Sequence, residues 1–292
     1  MRALIIGGTG FIGSHVVRQL AKEGHTVAIF HRGRTPAALP RNVREILDPR
    51  SEMPIERFPR EVFDFKPDAV VHTMAMGGPD ATAFAKAFID RVGRLVLLSS
   101  GDVYLAYGRL TGFEPGQIEE GLLSEDSPLR KKLFPYRKQA RSPESLEYWY
   151  EKILAEQAML ADGGPFTTVL RLPKVFGSGS NEDLATVYRY SHQPQWRWTH
   201  GYVENIAAAI VLAATHSKAG GRTYNVGEGY TPTIAERLAR IPPSTLAPDR
   251  DSKFNFAQNM AYDTSRIRNE LGYREVLPEE EAIAMTLKTR SH

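Results

Sequence analysis

The sequence predicts a doubly wound α/β fold, a mostly parallel sheet between two helix layers, and three observations carry that prediction. Short runs rich in Val, Ile and Leu alternate with stretches of helical period. The runs are continuously apolar rather than alternating in and out, as in strands covered on both faces. The first of them passes directly into Gly7-Gly8-Thr9-Gly10-Phe11-Ile12-Gly13, a glycine-rich turn that opens a helical pattern.

In chain order, Ala3 to Ile6 reads as the first strand, and Ile12 to Lys22, closed by Gly24, as the first helix. Thr26 to Phe30 is the second strand, and a third precedes Asp48. Ala69 to His72 is a strand, Ala81 to Val92 a helix closed by Gly93, and Leu95 to Leu98 a strand. From Leu105 to Ser145 no period is sustained, and Gly, Pro and charge mark a long excursion. Glu147 to Leu160 then reads as a helix ahead of Gly163-Gly164, followed by a strand at Thr167 to Leu172. After Pro173 the alternation is irregular, with breaks at Gly177 to Ser180 and Pro242 to Pro248, although Tyr224 to Val226 reads as another strand. The expected division is a dinucleotide-binding part over 1–172, interrupted by an insertion at about 105–147, and a smaller substrate-binding lobe over 173–292 with parts returning to the sheet.

Composition narrows the function. A chain of 292 residues with 42% hydrophobic side chains can bury a sizeable core. Lys plus Arg is 37 against 34 for Asp plus Glu, and a net charge of +3 does not call for a nucleic-acid partner. The absence of cysteine removes disulfides, thiol nucleophiles and thiolate metal sites, and fits a reducing cytoplasm. The apolar run from Ile206 to Ala214 is too short to cross a membrane, and the first strand is too short for a signal peptide. Eight histidines without metal-ligand spacing predict no metal.

The glycine turn predicts phosphate chemistry. Gly7 permits the tight turn, Gly10 lets backbone N–H groups approach a pyrophosphate, and Gly13 lets the helix pack on the strand. The positive end of the helix, beginning at Phe11 and Ile12, then faces the anion, so a dinucleotide of the NAD(P) type is expected. After the second strand the chain reads His31-Arg32-Gly33-Arg34, with no carboxylate for a ribose 2′-hydroxyl. Arg32 and Arg34 suit a 2′-phosphate, so NADP is preferred over NAD, the alternative being two solvated arginines. Asp48 either bonds the adenine amino group or closes a turn.

Tyr148 and Lys152 are four residues apart on a helical pattern, which places phenol and ammonium on one face. A cation there would draw a phenol pKa down from its usual value of about 10. Ser99-Ser100-Gly101-Asp102-Val103-Tyr104 ends the strand from Leu95, at the sheet edge where ligands bind.

With these residues in order, the chain resembles the extended short-chain dehydrogenase/reductase family of NAD(P)-dependent epimerases and dehydratases. The landmarks are Gly7-x-x-Gly10-x-x-Gly13, Val70-Val71-His72, Ser99-Ser100-x-x-Val103-Tyr104 and Tyr148-x-x-x-Lys152-x-x-x-Glu156. They continue through Leu170 to Gly177, Tyr202 to Asn205, Tyr224 to Gly227 and Ser265 to Tyr273. The resemblance implies a Rossmann fold, Tyr148 as general acid/base, Ser100 bonded to the reacting oxygen, and Lys152 on the nicotinamide ribose. It also implies that His72 lies near the coenzyme, that a nucleotide sugar or similar hydroxyl compound is the substrate, and that the protein is a homodimer. A net ketone or aldehyde reductase using NADPH is the alternative enzyme. A non-catalytic NAD(P) sensor or RNA-binding relative is the alternative of another class. Asp102 is either an elimination residue or a turn cap.

Three departures stand out. Ser100 and Tyr148 are 148 − 100 = 48 residues apart, which puts an insertion between Pro135 and Glu147. Tyr136 follows a proline in the family manner, but position 140 is Ala140 and supplies no lysine, so Tyr136 is not read as the base. Arg197 is one residue out of register for binding a diphosphate. The six basic residues from Arg130 to Arg141 are either a solvated loop or an anion or RNA clamp. Trp196 and Trp198, alternating along an expected strand, line a sugar or aromatic pocket or pack in the core.

Overall fold

The computed structural model describes residues 1–182 and 184–289. Seven strands form one parallel sheet: β1 (Arg2–Ile6), β2 (Thr26–His31), β3 (Arg44–Leu47), β4 (Ala69–His72), β5 (Arg94–Ser100), β6 (Thr167–Leu172) and, from late in the chain, β9 (Arg222–Asn225). Their order is β3-β2-β1-β4-β5-β6-β9, so the direction of winding reverses between β1 and β4 and opens a crevice at the carboxyl ends of those strands. A separate pair, β7 (Lys174–Phe176) and β8 (His200–Tyr202), lies between β6 and β9 in sequence.

The continuous apolar runs have a direct physical reading. In β1, Ala3 and Ile5 enter the core on one face while Leu4 and Ile6 enter the core on the other, and all four are fully buried. Helices α1 (Phe11–Lys22) and α8 (Val203–Thr215) cover the first face; α3 (Gly78–Phe88) and α6 (Lys152–Asp162) cover the second. A third core, with Tyr104, Trp196, Met260 and Tyr262, lies beside the sheet and forms the wall of the candidate site. Helices α7 (Ala185–Tyr188), α9 (Ile234–Leu238) and α11 (Glu279–Thr289) contribute to this third core, and α10 (Ser265–Leu271) to the first.

Four local readings differ from the sequence expectations. The helix expected over Ala81 to Val92 is α3, which starts earlier because Asp80 accepts from Met76 N at 3.1 Å and Gly77 N at 3.3 Å. The excursion opens with a helix of its own, α4 (Leu105–Thr111), after the short α2 (Arg60–Asp64) earlier in the chain. Trp196 and Trp198 lie not on a strand but beside and on isolated bridges.

The most consequential difference is the helix expected over Glu147 to Leu160. It forms as α5 (Leu146–Trp149) and α6, broken at Tyr150 and Glu151. Glu151 is extended, with φ −157° and ψ 99°, because its groups are claimed from elsewhere. Its N–H donates to Met76 O at 2.8 Å, and its carboxylate accepts from Arg130 at 3.0 Å, from Phe134 N, and from Ile153 N at 3.0 Å as the cap of α6. Tertiary partners outweigh the few tenths of a kcal/mol per residue that helix propensity offers.

Candidate active site

The glycine turn after β1 has the geometry its sequence demands. Gly7 sits at φ +85°, and a Cβ on Gly13 would lie 2.3 Å from Gly7 O, so both positions exclude a side chain. A methyl group on Gly10 would find its nearest heavy atom 3.6 Å away, which leaves open space at the head of α1. Ser14 N is the first helical amide to bond back, to Gly10 O at 2.9 Å, leaving the amides of Phe11, Ile12 and Gly13 for an anion. A dinucleotide diphosphate fits this cradle.

A cavity of about 80 Å³ next to the cradle is lined by Gly7, Gly10, Arg32, Arg34, Met53 and Met74. Neither Arg32 nor Arg34 has a carboxylate partner among the described residues. Asp48 lies on an adjoining groove with Arg50 and Ser51, and its carboxylate accepts from Arg50 N at 3.1 Å, so the turn contact forms. His72 lies elsewhere: it is fully buried against Phe84, its Nδ1 accepts from Met74 N at 3.2 Å, and burial pushes its pKa down to about 3. It therefore supports the Met74 loop from behind as a neutral ring.

At the end of β5, Ser99 and Ser100 point to different tasks. Ser99 donates to Glu156 at 2.5 Å, and Glu156 pairs with Arg171 at 2.7 Å in a buried network that continues to Tyr104. Ser100 instead lines a second cavity, of about 190 Å³, with Asp102, Tyr107, Tyr136, Lys174 and Trp198. Lys152 is buried, its Nζ donating to Ala75 O at 2.7 Å and Leu98 O at 2.9 Å, and burial lowers its pKa to about 8.

The phenol that meets these groups belongs to Tyr150. Its hydroxyl donates to Asp102 Oδ2 at 2.9 Å, Ser100 Oγ accepts from the backbone N–H of the same Asp102 at 3.4 Å, and Lys152 Nζ stands 5.7 Å from the Tyr150 ring centre. Tyr136 donates to the same carboxylate oxygen at 3.0 Å and is bonded to Tyr107 at 2.9 Å. Tyr148, by contrast, is 38% exposed, its ring stacked near Arg137 at 4.8 Å and its carbonyl accepting from Arg137 at 2.7 Å. The break at Tyr150 and Glu151 takes Tyr148 and Lys152 out of helical phase. Sequence reasoning passed over Tyr150 because that break depends on Glu151's distant partners, although Tyr150 lies only two residues before Lys152.

Two other readings change. Arg130 is no surface cation: its side chain is fully buried on Glu151, and Arg137 lies 3.5 Å from the Phe134 ring, so the basic stretch does not form one charged face. Arg197 bonds Thr231 O and pairs with Glu236 at 3.7 Å, outside both cavities. A larger cavity of about 290 Å³, between β8 and α11, is lined by the landmark residues Phe176, Tyr202, Asn205, Gly227 and Tyr273 but by none of the candidate catalytic or coenzyme residues; its Glu228 and Glu279 are both tied to Arg237.

Residues 3–227 match the NAD dependent epimerase/dehydratase family. The chain belongs to this family. A 2′-dehydrokanamycin reductase from Streptomyces kanamyceticus is 29% identical over 186 residues, 63% of this chain and 45% of that protein. A UDP-glucose 4-epimerase from Lactobacillus helveticus is 28% identical over 244 residues, 78% of this chain and 66% of that protein. The chain thus spans less than half of the first relative's length and about two thirds of the second's. Among solved structures, the UDP-glucose 4-epimerase of Thermotoga maritima with UDP-glucose superposes with a TM-score of 0.71 at 18% identity, covering 100% of this chain and 99% of that one. MoeE5 in complex with UDP-glucose and NAD gives 0.68 at 20%, covering 100% and 99%. At these identities the structures share the fold of this epimerase/dehydratase chain. Among the described residues no helix is long and apolar enough to cross a membrane.

Proposed function

We propose that this chain is a pyridine-nucleotide-dependent enzyme that interconverts a hydroxyl and a carbonyl, with Tyr150 rather than Tyr148 as the acid/base. One observation carries the reading: the Tyr150 hydroxyl donates to Asp102 with Lys152 Nζ 5.7 Å from its ring centre, and Asp102 and Ser100 line a cavity at the carboxyl end of β5. When bound, the nicotinamide supplies hydride transfer at the substrate carbon. Tyr150 Oη moves the hydroxyl proton, Ser100 Oγ bonds the same oxygen, and Lys152 places positive charge near the phenol. Trp198, Tyr107 and Tyr136 offer aromatic faces to a sugar-like ring, so a nucleotide sugar or similar polyhydroxyl compound is the proposed substrate class.

The unpaired Arg32 and Arg34 favour a second reading, net reduction of a ketone or aldehyde by NADPH, and the likeness to a 2′-dehydrokanamycin reductase supports it. Homodimer formation and a cytoplasmic setting belong to the same proposal. The test is a pair of variants, Tyr150→Phe and Tyr148→Phe, assayed with both coenzymes against nucleotide sugars and ketones after coenzyme binding is checked by thermal shift. Tyr150→Phe is expected to keep binding and lose turnover by at least about 100-fold. A dead Tyr148→Phe beside an active Tyr150→Phe would return the role to Tyr148.

A further inference from the structure

We propose that Asp80 is a positioning residue for the coenzyme: one buried carboxylate ties two segments that line the cavity beside the glycine cradle to each other and to the loop that holds Lys152. The inference rests on the reading that this cavity takes a pyridine nucleotide. Asp80 itself touches neither coenzyme nor substrate in this scheme.

Three segments meet on this side chain, which is fully buried. From the first, Ile55 N donates to Oδ1 at 2.5 Å, and both Met53 and Ile55 line the cavity. From the second, Met76 N at 3.1 Å and Gly77 N at 3.3 Å donate to Oδ2, just after Met74, which also lines the cavity. The third is α3, to which Asp80 belongs. The bonds to Met76 and Gly77 close the head of α3, as a capping carboxylate does. The bond to Ile55 is of another kind, because it reaches back 25 residues to a segment that no helix end requires.

The three amides lie in irregular backbone, outside strands and helices, so no ladder supplies their acceptors. An ionised carboxylate is a strong acceptor for such amides, and its two oxygens have lone pairs enough for all three. A side-chain amide of the same shape has only one acceptor oxygen and turns an N–H toward the remaining donors. The same loop also carries the carbonyls that fix the start of α6. Lys152 Nζ donates to Ala75 O at 2.7 Å, and Glu151 N donates to Met76 O at 2.8 Å. Met53, Ile55 and Met74 therefore share one anchor, which holds the cavity in shape before the coenzyme arrives and spares binding the cost of ordering those segments.

The test compares Asp80→Asn with Val62→Ala. Val62 is fully buried in the same core as Ile55 but lines neither the coenzyme cavity nor the one beside Ser100, so its truncation lowers stability without touching either lining. Titration calorimetry with NAD and NADP, at a temperature where each variant is folded, should show the Kd raised at least about tenfold in Asp80→Asn, roughly the effect of losing one charge-assisted bond. In Val62→Ala the Kd should stay within about twofold of the parent, which separates positioning from stability alone. Equal Kd values in the parent and Asp80→Asn, or an equal loss in Val62→Ala, overturn the proposal and leave the coenzyme reading standing. A parent that binds neither nucleotide overturns both. If Asp80→Asn does not fold, amide hydrogen exchange in the parent decides. The N–H groups of Ile55, Met76 and Gly77 should share one protection factor that rises when coenzyme is added, and an Ile55 amide that exchanges independently of the other two overturns the proposal.

Discussion

Two glycines of the cradle should fail in opposite ways when each is replaced by alanine. In Gly13→Ala the new Cβ would lie 2.3 Å from Gly7 O and 3.1 Å from Gly8 Cα, backbone atoms that cannot rotate away. Such overpacking costs about 1–3 kcal/mol, and helix propensity returns about 1 kcal/mol of it. At about 2–4 °C per kcal/mol for a domain of this class, melting without coenzyme should fall by a few degrees. In Gly10→Ala the nearest atom would be 3.6 Å away and the backbone, at φ −73°, suits any residue, so stability should stay within about 1 kcal/mol of the parent. Its methyl group would instead fill the approach of the diphosphate to the head of α1. A coenzyme present at about 100 times its Kd stabilises the parent by about 2.7 kcal/mol, and Gly10→Ala should lose most of that shift. Differential scanning fluorimetry with and without NAD and NADP reads both effects. A Gly10→Ala protein that melts like the parent and keeps the full coenzyme shift would refute the reasoning, because the diphosphate would then lie elsewhere.

Further outcomes follow from the same geometry. Replacing both Arg32 and Arg34 with alanine should lower the NADP-to-NAD affinity ratio at least about tenfold, each lost bond to a 2′-phosphate costing about 1.5–3 kcal/mol; titration calorimetry checks it. Glu151→Ala strands the buried Arg130 guanidinium, so chemical denaturation should show a loss of about 3–5 kcal/mol. For Lys152 the folded protein releases the proton near pH 8, whereas the unfolded chain holds it to about 10.5. Between those values the unfolded state binds more protons, so this residue makes stability rise with pH, by up to about 3 kcal/mol. Urea midpoints at about pH 8 and pH 10 should show that slope in the parent and a smaller one in Lys152→Met.

The sheet was legible because its signal is local. A strand buried on both faces is apolar over its buried run, and Ala3 to Ile6 in β1, Val27 to Phe30 in β2 and Ala69 to Val71 in β4 all announce themselves that way. Gly7, Gly10 and Gly13 were equally legible, since their spacing and their place between strand and helix are properties of one short segment. Ser100 followed from its position at the end of β5, and Lys152 and Glu156 from their common helix.

What only the tertiary structure decided was where the chain departs from its own period. Nothing near Glu151 in sequence announces that Met76 O, Arg130 and Phe134 N will hold it extended, yet those partners end α5, put Tyr148 in solvent and turn Tyr150 onto Asp102. The burial of Arg130, which removes it from an apparent basic patch, and of His72, which leaves it neutral behind the Met74 loop, likewise depend on residues far along the chain. Sequence by itself determined the scaffold and the glycine turn at the head of α1, because periodicity and glycine chemistry act over a few residues. Long-range hydrogen bonds to buried charges determined that Tyr150 rather than Tyr148 reaches Asp102, because each is strong enough to override the local preference of a single helical turn.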